Sequence, residues 1–259
     1  MTQLSIIIVS YNARADLERC LEALHAAPPA AAHEIVVVDN GSTDGSVEAA
    51  RRWANVRVIG NGANVGFARA NNIGIRASGG VNLLLLNSDT SVAAGAIDRL
   101  LAELDADPSV AVVGPRLVDG QGRAELSFGR MIGPLNELRQ KRLGRRPVDA
   151  LTRTRRYPDW VSGACLLVRR ADAEAVGLFD ERFFMYTEDV DFCAAIRARG
   201  RRVLFTPEVE VVHLRGRSAA SAPVETTAAY RRSQIAFYEK HHPGWAPLLR
   251  LYLRVRGQV

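Results

Sequence analysis

The chain has 259 residues, 47% hydrophobic and 24% charged, a balance that excludes a disordered, collagenous or repeat-dominated protein. At this length about three quarters of the unfolded surface can be buried, so no covalent staples are needed to hold a core. Lys and Arg number 34 against 28 Asp and Glu, a net charge of +6, and Cys20, Cys165 and Cys193 form no CxxC pair, which excludes a disulfide scaffold and a zinc knuckle and fits a reducing compartment.

The N-terminus, MTQLSIIIVSYN, has no basic region followed by a long apolar run. Neither a secretory signal nor a spanning helix is expected, which places the chain in the cytoplasm or peripherally on the inner membrane face. From there to residue 115 the pattern alternates. Short β-branched runs at 5–10, 34–39, 56–60, 81–87 and 110–115 are separated by helical patterns at 15–26, 44–53, 67–77 and 92–105. Continuous apolar strands between amphipathic helices predict a mostly parallel α/β sheet covered on both faces. Right-handed crossovers then line the strand C-termini along one edge, where ligands of such folds bind.

After residue 115 the rhythm changes. Asp119-Gly120-Gln121-Gly122 reads as a hairpin corner, and a basic stretch follows at 139–156 with eight basic residues and one acid. That stretch carries +7, more than the whole net charge, and no aromatic residue, so it does not have the interleaved stacking residues of a nucleic-acid groove. It reads either as a solvated loop or as a contact for phosphates or anionic lipid headgroups. An apolar strand is expected at 160–168, helices at 170–176 and 188–199, strands at 202–206 and 209–213, and a final helix at 225–241. The tail 246–256 is apolar and basic but about half the length needed to span a bilayer. It fits a membrane interface or the side of the core equally well.

Four polar clusters fall just past expected strand ends: Ser10-Tyr11-Asn12, Asp39 through Ser46, Asn64 with Asn71 in the helix that follows it, and Asn87-Ser88-Asp89. Taken singly each has a structural explanation, since Ser42 or Asp44 can cap a helix and Asn40-Gly41 can make a turn. Together they share the ligand-binding edge. Asp39 closes a buried strand and suits the imide N–H of uracil or thymine. Asp89 offers an oxygen ligand of the type taken by Mg²⁺ or Mn²⁺ bridging diphosphate oxygens. In Thr187-Glu188-Asp189-Val190-Asp191, Thr187 can cap a helix and the acids complement its dipole, or the pair Glu188-Asp189 is chemical.

In SIIIVSYN, EIVVVDNGSTDGS, NVGFARANNIG (64–74), LLLNSDT (84–90), WVSGACLLVRR (160–170), FFMYTEDVDFCAAIRARG (183–200) and VVHLRGRS (211–218), residues 1 to about 215 resemble the family 2 glycosyltransferases of the GT-A fold, the bacterial rhamnosyltransferase-like members above all. The resemblance implies one GT-A domain over 1–259, with a nucleotide half (1–115), an acceptor and catalytic half (116–215) and a C-terminal helical extension (216–259). It implies that Ser10, Tyr11, Asn12, Asp39, Asn64, Asn71, Asn87 and Ser88 hold the nucleotide. Asp89 and His213 would take a divalent metal, Mn²⁺ or Mg²⁺, and Arg215 and Arg217 the diphosphate. Trp160, Ser162 and Gly163 would line the sugar and acceptor pocket. Asp189 would act as general base, with Glu188 beside it contacting acceptor. Asn87 stands where the family's metal motif commonly has Asp.

The expected activity is therefore metal-dependent, inverting transfer of a sugar, L-rhamnose from dTDP-L-rhamnose, to a glycan or lipid-linked saccharide near an anionic membrane surface, with no nucleic-acid partner. The alternatives are a UDP-sugar-dependent transferase of the same fold and a non-catalytic sugar-nucleotide-binding protein.

Overall fold

The computed structural model describes residues 2–133, 148–214 and 223–258. The first half builds as the hydrophobic pattern dictates. Strands β1 (Leu4–Ser10), β2 (His33–Asp39), β3 (Val56–Gly60) and β4 (Asn82–Asn87) alternate with helices α1 (Arg14–Ala26), α2 (Ser46–Arg51) and α3 (Phe67–Ala77). The four strands lie in the order β3-β2-β1-β4, all parallel.

The unbroken apolar runs follow from burial on both faces. Ile6, Ile8, Val37, Leu84 and Leu86 enter one core with α1. Ile7, Val9, Val36, Val38, Leu83 and Leu85 enter another with α3. Period-2 alternation thus feeds two cores rather than one core and solvent.

The second half departs from simple alternation. A short strand, β5 (Thr90–Val92), follows the Asn87-Ser88-Asp89 cluster, so helix α4 begins at Ala96 rather than at 92 and ends at Ala106. Strand β6 (Val110–Val118) turns at Asp119–Arg123 into β7 (Ala124–Glu125), the expected hairpin corner, with the Gly122 N–H on the Asp119 carbonyl.

The apolar run at 160–168 is two strands rather than one. Trp160–Val161 (β9) pairs with β8 (Phe128–Gly129) in a separate ribbon. Cys165–Arg169 (β10) enters the main sheet antiparallel between β4 and β6. The break at 162–164 arises because the Ser162 N–H bonds to Ser127, whereas the Ala164 carbonyl turns to accept from Asn87. Conversely, the two strands expected at 202–206 and 209–213 are one, β11 (Arg202–His213), and the irregular register between Thr206 and Glu210 accommodates Pro207. A proline removes a ladder donor without ending the strand when the pairing bulges around it.

The sheet therefore runs β3-β2-β1-β4-β10-β6-β11-β5, with β7 beside β6. Parallel and antiparallel pairs mix from β4 onward, and one sheet spans the nucleotide half and the acceptor half.

Of the basic stretch, residues 139–147 lie outside the described residues. Its remainder, 148–156, is largely exposed but tied to the body by ion pairs and hydrogen bonds. Arg116 and Arg153 both pair with Asp149 on the short helix α5 (Val148–Leu151), Arg155 pairs with Glu103, and Arg156 exchanges backbone hydrogen bonds with Phe205. These cations are engaged within the chain.

Helices α6 (Arg170–Ala175) and α7 (Glu188–Ala198) follow β10, and α8 (Pro223–His241) and α9 (Ala246–Val255) complete the described chain. The carboxylate of Asp191, only 2% exposed, accepts from Lys240 at 2.8 Å and pairs with His241 at 2.6 Å, which ties α8 to α7. Burial works against the Lys240 charge, but its bonds to Asp180 and Asp191 outweigh that and hold its pKa above the usual value. No helix among the described residues is long and apolar enough to cross a membrane.

Candidate functional site

Parallel register places Ser10 beside Asp39 at the ends of β1 and β2. Asp39 turns one oxygen, Oδ2, to the Gly41 and Ser42 N–H groups at 3.1 and 3.0 Å. Its other oxygen, Oδ1, is buried and has no hydrogen-bond partner, and the same is true of the Ser10 hydroxyl. Among the described residues, the buried side-chain oxygens without a partner are those of Ser10, Asp39, Asn87 and Glu188. A buried polar atom left unpaired costs about 1–3 kcal/mol. Four such atoms, all on residues singled out above for other reasons, are acceptors that a bound ligand would complete.

The remaining polar residues of this edge bond one another and the nearby backbone. Asn12 adopts a left-handed φ of 47°. It bonds the second strand-end loop in both directions: its N–H donates to Ser42 Oγ, and its Oδ1 accepts from the Thr43 N–H. Asn64 Oδ1 accepts from Asn40 Nδ2 at 2.9 Å and from the Gly66 N–H. Asn71 donates back to the Phe67 carbonyl inside α3. Tyr11 is 45% exposed and Ser88 is nearly buried.

Asn40 was not among the expected ligands, yet it is the hub of this loop. It is 2% exposed and also accepts from Asn61 Nδ2 and the Val65 N–H. Asn72, fully buried, staples α3 to the 179–181 loop through Phe179 and Glu181. Both are asparagines in an Asn-rich stretch, and composition does not tell a wall residue from a ligand.

Asp89 is brought to His213 by β5. Antiparallel pairing sets His213 opposite Thr90, the Leu214 N–H donates to the Asp89 carbonyl, and Asp89 Oδ1 lies 3.3 Å from His213 Nε2. The other ring nitrogen, Nδ1, faces Glu125 Oε2 at 3.1 Å across β7. Glu125 thereby holds the imidazole with Nε2 toward Asp89, the carboxylate–histidine arrangement that orients metal-ligating histidines. Nothing in the sequence pattern marked Glu125, because its role depends on the hairpin. Burial opposes charging of His213, but the two carboxylates outweigh it and raise its pKa.

No group of three or more His, Cys, Asp or Glu suited to an ion occurs among the described residues. The Asp89–His213 pair fits a cation whose remaining positions are filled by diphosphate oxygens and water, with the oxygen and imidazole donors that suit Mn²⁺ or Mg²⁺.

The 162–164 turn connects this corner to the acidic segment. The Asn87 N–H donates to the Ala164 carbonyl, and one residue earlier the Gly163 N–H donates to Asp189 Oδ2 at 2.9 Å. Trp160 donates to the Arg130 carbonyl and packs over Gly129, supporting the turn from behind. Ser162 Oγ accepts from the Ala164 N–H.

Thr187 stands at the helix start as expected but makes no side-chain cap. Tyr186 and Thr187 both have positive φ, 71° and 64°, a conformation that L side chains adopt at a cost. The strained turn is held from two sides. Ser233 of α8 donates to the Met185 carbonyl, and the Phe67 N–H donates to the Phe184 carbonyl. The second contact needs Gly66, with φ at 89°, because a Cβ there would sit 2.6 Å from the Phe184 oxygen.

Glu188 and Asp189 sit at the mouth of this turn. Burial, with the adjacent Asp189 charge, raises the Glu188 pKa well above 4.5. Burial also raises that of Asp189, against the opposing bonds from Gly163 and Val190. The folded state thus holds these protons more tightly than the unfolded chain, so stability is full at low pH. It is lost as pH rises from the ordinary carboxylate range through the raised values. Glu188→Gln is accordingly expected to raise the melting temperature at pH 8 by a few degrees and to leave it unchanged at pH 4, as scanning calorimetry at the two pH values will show. Arg215 and Arg217 lie outside the described residues.

The comparisons with known proteins agree on the family. The glycosyl transferase family 2 model matches residues 5–175. N-acetylglucosaminyl-diphospho-decaprenol L-rhamnosyltransferase of Mycobacterium tuberculosis is 32% identical over 99% of this chain and 94% of its own length. The low-salt glycan biosynthesis hexosyltransferase Agl10 of Haloferax volcanii is 27% identical over 82% of this chain and 67% of its own.

Among solved structures, the mannosyltransferase PcManGT from Pyrobaculum calidifontis, in complex with GDP-Man and Mn²⁺, superposes with a TM-score of 0.67 at 20% identity, covering 96% of this chain and 68% of that one. GalNAc-T7 with UDP, GalNAc and Mn²⁺ gives a TM-score of 0.63 at 21% identity, covering 82% of this chain and 43% of that one. These likenesses establish the GT-A fold. A family match over more than half the chain and a relative aligned nearly end to end show the family: the chain belongs to glycosyl transferase family 2 and is a glycosyltransferase.

Proposed function

We propose that this glycosyltransferase moves L-rhamnose from dTDP-L-rhamnose to a hydroxyl of a lipid-linked saccharide, with inversion and with Mn²⁺ or Mg²⁺ as cofactor. The observation that carries the sugar and the acceptor is the near end-to-end match to a relative named for transfer of L-rhamnose to a diphospho-decaprenol-linked sugar.

The unpartnered Asp39 oxygen supports a pyrimidine donor, since it would accept the imide N–H while the Gly41 and Ser42 amides hold the other oxygen in place. Asp89 and His213 would hold the cation, which when bound neutralises charge on the departing diphosphate. Arg215 and Arg217 would add charge-assisted bonds to the same group.

Asp189, fixed by the Gly163 amide, would take the acceptor hydroxyl's proton as that oxygen attacks the sugar's anomeric carbon and the bond to diphosphate breaks. Its raised proton affinity suits a base that must hold a proton once transferred. Trp160, Ser162 and Gly163 would bound the sugar pocket, with Glu188 on the acceptor side.

Calorimetric titration of the chain with dTDP and with UDP, each with and without Mn²⁺, tests this. Metal-dependent binding of dTDP in preference to UDP is expected. Preference for UDP would overturn the rhamnose donor, and failure of both nucleotides in either metal condition would overturn the donor site.

A further inference from the structure

Helix α9 has two apolar faces. Ala246, Leu249 and Leu253 face inward, with Leu253 fully buried and Ala246 and Leu249 packed with Phe183, Val190 and Phe237. Trp245, Leu248, Leu251 and Val255, each three or four residues after the last, with Tyr252 beside Leu251, form a second stripe that faces out, with Leu248 57%, Leu251 61% and Val255 81% exposed. Helical periodicity places these five on one side.

The charge near this stripe is mostly positive, with Glu239 the acid next to it in sequence. Residues 240–259 contain Lys240, Arg250, Arg254 and Arg256 and no acid. Arg250 is engaged by Glu239, whereas Arg254 and Arg256 are exposed at the end of the stripe, Arg256 beside the Tyr252 ring.

We infer that the outer face of α9 is a docking surface for an anionic lipid bilayer. Ten residues make a helix of about 15 Å, too short to cross the hydrocarbon core. A helix with apolar residues on one side and arginines at its flank lies in the interface, its stems buried and its guanidiniums at the headgroups. A second copy is the poorer occupant, because a two-fold contact meets this patch with the same patch, which offers Arg254 and Arg256 no acid, whereas an anionic bilayer offers both apolar depth and negative charge.

The placement serves the lipid-linked acceptor reading, on which its biological sense rests. Ala246 and Leu249 of α9 share one apolar cluster with Val190, the residue after Asp189, which links the docking helix to the acidic segment. Binding to lipid itself requires no nucleotide, so the two readings fail separately.

The test is co-sedimentation of the whole chain with vesicles of phosphatidylglycerol and phosphatidylcholine, or of phosphatidylcholine alone. Binding to the anionic vesicles is expected, weaker to the neutral ones and weakened by salt. Leu248→Glu with Leu251→Glu, both at exposed positions, is expected to lower the partition coefficient at least about tenfold. Arg254→Glu with Arg256→Glu is expected to lower it by about tenfold or more while reducing the salt dependence.

Calorimetric dTDP binding, unchanged in both variants, separates loss of the surface from loss of the fold. Wild type that ignores anionic vesicles, or variants that partition as it does, would overturn the inference. So would a dimer, seen by light scattering, that Leu251→Glu dissociates, since the stripe would then belong to a second copy. Vesicle binding that follows the expected pattern in a chain that binds no nucleotide would leave the surface standing and sink the donor site.

Discussion

Replacing Asp189 with Asn is expected to lower turnover about 10³-fold, the range spanned by a positioned general base, while dTDP binding stays within a factor of about two. The reason lies in what surrounds the carboxylate. Gly163 donates to one oxygen and the Val190 N–H to the other. Asn keeps the shape but offers only one acceptor oxygen, and its amide does not take a proton at working pH. Single-turnover kinetics with saturating donor separate the chemical step from binding. If the variant turns over as the wild type does, Asp189 is not the base, and Glu188 becomes the carboxylate to test.

The second large effect is expected at the cation. Asp89→Ala should abolish the part of dTDP binding that depends on Mn²⁺, and His213→Ala should do so to a lesser degree, because each removes one of the two side chains set 3.3 Å apart. Glu125→Gln makes the finer prediction. Its side chain does not reach the Nε2 side of the ring but sets the orientation of His213 from Nδ1. Such outer-shell partners are worth about 10- to 100-fold in metal affinity. Titration of Mn²⁺ by electron paramagnetic resonance reads all three variants without an acceptor. Equal Mn²⁺ affinity in wild type and Asp89→Ala would remove the metal from this corner.

Much of the donor half was legible because its determinants are local. A run such as SIIIVS, short, β-branched and bounded by turn residues, reads as a strand buried on two faces, and the residues that end it fix where the chain leaves the sheet. The strand-end clusters followed, since parallel crossovers force them to one edge. For Asn12, Asn64 and Asn71 that reasoning gives position and not role. Their side chains bond loop and helix backbone, and a polar residue at the right edge looks the same in sequence whether it builds the wall or meets the ligand.

The acceptor half was less legible for a physical reason. Periodicity reports which residues are buried but not which neighbour buries them. The run 160–168 reads as one strand because Val161 and Leu166 are both buried, yet they serve different sheets, and the turn between them carries the amide on Asp189. The antiparallel insertion of β10 and the short β5 depend on partners far off in sequence, His213 opposite Thr90 in the case of β5, and each is decided by pairing energy rather than propensity.

The sequence by itself therefore determined the family, the α/β class, the strand-end edge and the residue types on it, because these rest on local pattern and motif order. Only the tertiary structure decided which groups meet. It set Asp89 against His213, placed Glu125 behind the ring, and left the oxygens of Ser10, Asp39, Asn87 and Glu188 without partners. It also turned one stripe of α9 inward and the other out. Those outcomes depend on long-range packing, which a linear pattern does not encode residue by residue.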